Sequence, residues 1–230
     1  MSDLLMVKNV AKDLFFAVPL EGHPKFGPVV VSHPFTDTGF IMLPEESSII
    51  NLLDDKKGFA RWKNWLFHKI DNAASELQLM HYLTKPWKLT FLKYAKPYLD
   101  NDAFSELLGN TWVVSENPNM DVNCTRKEMI GWFKKANKKK VMEKEEYSVW
   151  EALPERFEVY RGVAEGRREL GLSWTRSLET AEWFANRFSE ESFILKATID
   201  KKHALAYFNG RDEDEIVVDV FAIKKDIEKL

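Results

Sequence analysis

The sequence predicts an α+β protein, with a helical first part followed by a β-rich last third. Three observations carry this. Between about residues 57 and 152, apolar residues recur at three- and four-residue steps. From Pro154 onward, short runs rich in β-branched and aromatic residues are separated by turns. One short amphipathic helix is set among those runs. At 230 residues, 45% of them hydrophobic and 13% aromatic, the chain can bury a sizeable core in one large domain or two small ones. We divide it into an N-terminal arm and helical region, 1–110, and a second domain, 111–230, with a helical flank at 111–152 and a β-rich core at 153–230.

In chain order, Pro28-Val29-Val30-Val31 and Gly39-Phe40-Ile41-Met42 read as short strands, with turns at Gly22-His23-Pro24 and Asp37-Thr38-Gly39. Phe59, Trp62, Leu66, Ile70, Ala73, Leu77 and Met80 build one apolar helical stripe. A second helix runs through Leu89, Leu92 and Tyr94 until Pro97 disturbs it. A third begins at Thr125, where Thr125-Arg126-Lys127-Glu128 has capping-box spacing, and its apolar face is Met129, Trp132, Phe133 and Ala136. The lysines at 134, 135 and 138–140, followed by Glu143, Glu145 and Glu146, read as a solvated helix face. Phe157 to Tyr160 is a strand, Leu178 to Phe188 a helix capped by Ser177, and Phe193 to Ile199 and Ile216 to Phe221 are further strands. Tryptophans at helical spacing, six of the eight at or before Trp150, read as core.

Composition narrows the function. The formal net charge of −3, with both signs mixed, disfavours a general nucleic-acid binder. A single cysteine, Cys124, rules out an intrachain disulfide and a thiolate cluster, and reads as a small buried residue. The five histidines never fall at metal-ligand spacing, so no metal is expected. No apolar run reaches membrane-spanning length, and Lys8, Lys12 and Asp13 interrupt the opening segment, unlike a signal peptide; a cytoplasmic protein is expected. Dinucleotide-fold and Walker-type glycine loops, His-Glu-x-x-His and the Gly-x-Ser-x-Gly elbow are all absent from the sequence.

Three segments of the last third stand out together: Val159-Tyr160-Arg161-Gly162 at a strand end, Gly171-Leu172-Ser173-Trp174-Thr175 before a helix, and Asp212-Glu213-Asp214-Glu215 running into Ile216-Val217-Val218. Each alone has a plain reading, as a surface ion-pair arginine, a helix cap or a solvated acidic turn. Residues two apart on an extended strand share a face. Ser173 and Thr175 would then present two hydroxyls to one surface, and Glu213 and Glu215 two carboxylates. Mutual repulsion of the carboxylates would raise the pKa of one of them. Such a set, with a fixed cation, suits a sugar cation and a diphosphate.

In this order the segments resemble the catalytic core of the arginine–serine–glutamate mono-ADP-ribosyltransferases, a class that includes bacterial toxins and phage enzymes. The resemblance covers residues 157–220. It implies a core of two packed small sheets, NAD⁺ as the substrate that carries ADP-ribose, no metal, and a protein target. It implies that Arg161 pairs with the NAD⁺ phosphates, that Gly162 lets the backbone approach nicotinamide, and that Ser173 holds Glu215 while Thr175 supports the strand. Glu215 would bind the nicotinamide ribose and stabilise its developing cation. Glu213 would orient or deprotonate the acceptor, and a glutamate at that position leans towards an arginine acceptor. Phe188 and Trp183 are the candidates for stacking on nicotinamide, Tyr207-Phe208 for the recognition loop, and 111–152 for a flank of the cleft. An NAD⁺ glycohydrolase and transfer to nucleic acid stand as enzymatic alternatives, and a catalytically dead binding module as the non-enzymatic one.

Overall fold

Asp3, Asp55, Ser75, Thr125 and Ser177 each turn a side-chain oxygen onto a first-turn backbone N–H of the helix that follows. These caps set many of the helix boundaries of an α+β chain. The computed structural model describes residues 1–44, 46–187 and 191–230. They form two compact units, Met1–Ala103 and Phe104–Leu230. None of the described helices is long and apolar enough to cross a membrane.

The first unit contains α1 (Leu4–Ala17), β1 (Gly22–His23), β2 (Gly27–Val31), β3 (Phe40–Ile41), β4 (Ile50–Asn51), α2 (Lys56–Asp71), α3 (Glu76–Tyr82) and α4 (Lys88–Ala95). The strands form two two-stranded antiparallel pairs, and α1 packs against α2, α3 and α4. Helix α1 was not expected from the sequence, because Lys8, Lys12 and Asp13 obscure its apolar face of Val7, Ala11, Leu14 and Phe15. The expected single stripe from Phe59 to Met80 is two helices: α2 ends at Asp71 with Asn72 as its cap, and Ser75 caps the start of α3. Phe15, Phe35 and Trp62 gather around His33, and Phe59 packs against Phe15 and Trp62. Burial pushes His33 down to about 4. Its Nδ1 accepts from the Phe35 N–H, so Nε2 carries the proton towards the Phe15 carbonyl.

The second unit contains most of α5 (Asn101–Val114), then α6 (Arg126–Lys135), α7 (Lys138–Val141), α8 (Lys144–Glu151), β5 (Arg156–Ala164), β6 (Ser173–Thr175), α9 (Leu178–Asn186), β7 (Ser192–Asp200), β8 (Ala204–Phe208), β9 (Glu215–Val218) and β10 (Ile227–Lys229). The capping box on α6 is present in full. The lysine run is not one solvated face. It is split over α6 and α7, and Lys138 turns inward to donate to the carbonyls of Phe133 and Leu205, each at 2.6 Å. Burial draws its pKa down to about 8.

Six antiparallel strands run in the order β10-β7-β5-β6-β9-β8. The two sheets expected from the sequence are thus joined in one ladder. The junction is narrow: β5 pairs with β7 over nine residues but meets β6 through Tyr160 opposite Thr175 alone. Two three-stranded halves, β10-β7-β5 and β6-β9-β8, therefore hinge on that pair. Strand β9 ends at Val218, earlier than the expected Phe221, which lies exposed in the following turn. On the outer half, Trp112 of α5, Phe133 of α6 and Phe208 of β8 stack edge to face and carry α5 against the sheet.

Candidate active site

A cleft of about 920 Å³, counting its open mouth, lies in the second unit beside the narrow junction. Its walls come from the end of α5 and the turn after it, from β5, from β6 and β9, and from the loop between β8 and β9. Arg161, Gly162, Ser173, Thr175, Glu213 and Glu215 all line it. All six residues picked from the sequence are therefore brought to one place.

Ladder register explains part of this. Thr175 of β6 stands opposite Glu215 of β9, and residues opposite each other on paired strands share a face. Ser173, two residues before Thr175, lies on that face too. Glu215 is 8% exposed, and its Oε1 accepts from the Trp112 indole N–H at 2.9 Å. The Ser173 hydroxyl also hydrogen-bonds its carboxylate. Burial nevertheless holds the Glu215 pKa above the ordinary carboxylate value, against those two bonds, and the nearby Glu213 charge adds to the rise. Carboxylate repulsion, the cause expected from the sequence, is real but secondary to burial.

Glu213 and Glu215 do not converge as neighbours on an extended strand. Asp212 and Asp214 sit at φ 56° and 47°, so the loop coils into β9. Asp214 is held there by Arg176, through Nη2 at 2.6 Å and Nε at 3.0 Å, and by the Asn209 side chain, which accepts from its N–H. The Thr175 hydroxyl donates to the Glu213 carbonyl at 2.8 Å. Thr175 thus supports the acidic loop as well as its own strand. Arg211 donates to the Glu213 carboxylate at 2.8 Å.

Arg161 lies inside β5, not at its end. Its guanidinium reaches across to the next segment and donates to three carbonyls: Nε to Glu169 at 3.1 Å, Nη1 to Ser173 at 2.6 Å and Nη2 to Arg168 at 3.0 Å. Those bonds use three of the five guanidinium donors and fix the backbone that carries Ser173. Burial lowers its pKa to about 10, opposed mainly by the Glu215 carboxylate. Gly171 makes this reach possible, since a Cβ there would overlap the Arg161 guanidinium. Gly162 has a second reason to be glycine: a Cβ there would run into the backbone of Ala181 and Ala185, so it lets α9 lie close on β5.

Several cleft residues were missed from the sequence. Trp112 read as core, and it is buried, but its one polar atom holds Glu215. Asn119 bridges, its Oδ1 accepting from the Leu172 N–H at 2.6 Å and its Nδ2 donating to the Ser173 hydroxyl at 3.3 Å. Phe184 lines the cleft, whereas Trp183 is 53% exposed under Arg187 and does not line it. Phe188 lies outside the described residues. Tyr207 and Phe208 belong to β8 and are buried, so neither stands on the acidic loop. Arg167 and Arg187 add positive charge to the walls. Among the described residues no group of histidine, cysteine and acidic side chains is arranged to hold a metal.

Trp112→Phe removes the indole donor and keeps most of the ring. A hydrogen bond to a charged group is worth about 1.5–3 kcal/mol, so thermal denaturation at neutral pH is expected several degrees below the wild type. Part of that gap closes as pH falls and Glu215 takes up its proton; a gap independent of pH would assign the whole loss to packing.

Comparisons with protein-family models, with curated proteins and with solved structures found no match to this chain.

Proposed function

We propose that the chain transfers ADP-ribose from NAD⁺ to an arginine side chain of a protein, in the manner of the transferases its sequence resembles. The observation that carries this reading is Glu215: a buried carboxylate at the wall of a cleft, held by an indole N–H and a serine hydroxyl, with Glu213 and Arg161 in the same cleft. Buried charge is costly, and a carboxylate kept so is suited to meeting a positive charge that develops in front of it.

The lining of the cleft has the chemistry that a dinucleotide needs. Its walls carry both signs, with Arg161, Arg167 and Arg187 suited to a diphosphate and Phe184 and Tyr160 offering rings to a base. The split of the ladder into two halves beside Arg161 and Ser173 supports a transferase-like core of two small sheets. NAD⁺ supplies a C1′–N bond whose electron pair leaves with nicotinamide. Glu215 stabilises the cationic ribose, as carboxylates do in glycoside hydrolysis. Ser173 and Trp112 keep its carboxylate turned to that task. Glu213 takes the proton that the acceptor guanidinium gives up. No metal enters this scheme. The protein would act in a cytoplasm, that of its producer or of a cell to which it is delivered.

The test is incubation of the pure protein with labelled NAD⁺, first with agmatine as a small guanidine acceptor and then with cell lysate. Labelled agmatine and a discrete labelled protein are expected. Silence from folded protein, with no nicotinamide released, overturns the proposal, and nicotinamide release without label supports the glycohydrolase. Glu213→Gln separates the steps. General-base catalysis contributes about 10²–10⁴-fold, so transfer to agmatine should fall about 10²-fold while acceptor-free nicotinamide release persists. Equal loss of both rates would mean that Glu213 serves NAD⁺ itself.

A further inference from the structure

The carboxylate assigned above to the acceptor guanidinium already holds one. Arg211 places its Nη2 2.8 Å from Oε2 of Glu213, and it lines the same cleft. It also stands near enough to Glu215 to lower that group's pKa, against the larger effect of burial. An arginine paired with Glu213 in this cleft takes the partner that the proposed function reserves for a substrate.

The loop holds it there. Asn209 is tied at its N–H to the Glu146 carboxylate at 2.8 Å, Asp214 is clamped by Arg176, and the Asp212 N–H closes a turn onto the Asn209 carbonyl at 3.0 Å. Arg211 lies inside that turn, so both ends of its segment are tethered. Its side chain is 44% exposed and open to the cleft mouth. An acceptor built into the chain also has the advantage of intramolecular reaction, which removes the need to gather a second molecule.

We propose that Arg211 is a built-in acceptor: it competes with external arginines for Glu213, and it is itself ADP-ribosylated in its own cleft. This rests on the transferase reading above. In the step, the C1′–N bond to nicotinamide breaks and its electron pair leaves with nicotinamide. A guanidinium nitrogen of Arg211 bonds to C1′, and the proton it loses passes to Glu213 and then to water. The modified side chain can no longer pair compactly with Glu213 and fills the mouth, so turnover is self-limiting.

The experiment incubates the pure full-length chain with NAD⁺ and no acceptor, and follows it by peptide mass spectrometry. One ADP-ribosyl group on Arg211 is expected, with trypsin no longer cutting there and a rate constant unchanged on tenfold dilution. Arg211→Gln, which removes both the acceptor guanidine and the ion pair, should lose that label and still label agmatine. Its KM for agmatine should be about two- to fivefold lower, the worth of a partly exposed ion pair, without the wild type's decline in rate. Label on another arginine such as Arg167 or Arg187, or labelled agmatine with Arg211 unmodified, overturns the inference and leaves the transferase intact. A labelling rate that falls on dilution overturns modification within the same molecule. If the wild type neither labels agmatine nor releases nicotinamide, the transferase reading fails and this one fails with it.

Discussion

Glu215→Gln should abolish transfer and make the protein more stable. Removing a group that stabilises charge in the transition state costs about 10²–10³-fold in rate. The amide keeps the shape and both partners, since its oxygen still accepts from Trp112 and its NH₂ can donate to Ser173. What it loses is the charge. The stability gain follows from the direction of the pKa shift. Burial raises the folded-state pKa of Glu215, so the folded chain prefers the protonated form. The stability this confers is complete below the ordinary carboxylate pKa and is lost as pH rises through the raised value. Above the ordinary carboxylate pKa the unfolded chain ionises more readily than the folded one, so the acid is a cost to the fold that the neutral amide removes. A gain of about 1 kcal/mol, or about 2–4 °C for a chain of this size, is expected. The difference should shrink towards zero as the buffer is taken below the ordinary carboxylate pKa. A variant less stable than the wild type at pH 7 would mean that the bonds from Trp112 and Ser173 outweigh burial. A variant that still transfers at the wild-type rate would remove Glu215 from the chemistry.

A raised pKa for one of the two glutamates was legible in the sequence, but its main cause, burial, was not. The order Arg161, Ser173-x-Thr175, Glu213-x-Glu215 pointed to one site, and all six chosen residues line one cleft. Local pattern succeeded where the chemistry is local: the capping box at Thr125, the cap at Ser177, and the runs that became β5, β7 and β9. It failed where long-range contacts decide. Nothing in the spacing of Trp112 separates it from a core tryptophan, because its indole finds Glu215 across 103 positions of chain. Asn119 lies in a short turn with no periodic signal, and its role exists only once Leu172 and Ser173 are beside it. The two glutamates were read as neighbours on an extended strand, whereas left-handed Asp212 and Asp214 coil the loop. Their anchor, Arg176, sits just past the motif that drew attention. Gly171 and Gly162 had visible identities but invisible reasons, since only the packing reveals the guanidinium above one and α9 above the other.

Arg161→Lys is expected to cost nearly as much as loss of the glutamate, although the charge is kept. A planar fork with five donors is replaced by a single ammonium on a flexible stem. Of the three carbonyls that Arg161 holds, at Arg168, Glu169 and Ser173, a lysine can reach at best some, and never from one fixed plane. Only the bond to the part-buried Ser173 carbonyl is sheltered from water, the other two lying at the surface; leaving it unpaired costs about 1–3 kcal/mol, so the melting temperature should fall by a few degrees. The functional loss has two sources that can be measured apart. The Ser173 carbonyl is one of the three, so the strand that presents the Ser173 hydroxyl to Glu215 loses its fixed position, and kcat should fall by about tenfold or more; displacement of a catalytic group by about 1 Å is enough for such an effect. The remaining guanidinium donors, suited to phosphate, are lost as well, and the Kd for NAD⁺ by calorimetry should rise by about tenfold, the scale of a charged hydrogen bond. Normal NAD⁺ affinity with reduced kcat would make Arg161 a strut for Ser173 alone. Weakened affinity with normal kcat would make it a phosphate ligand alone. Wild-type values of both, in a protein that melts lower, would leave it only the work of holding the segment from Arg168 to Ser173 in place.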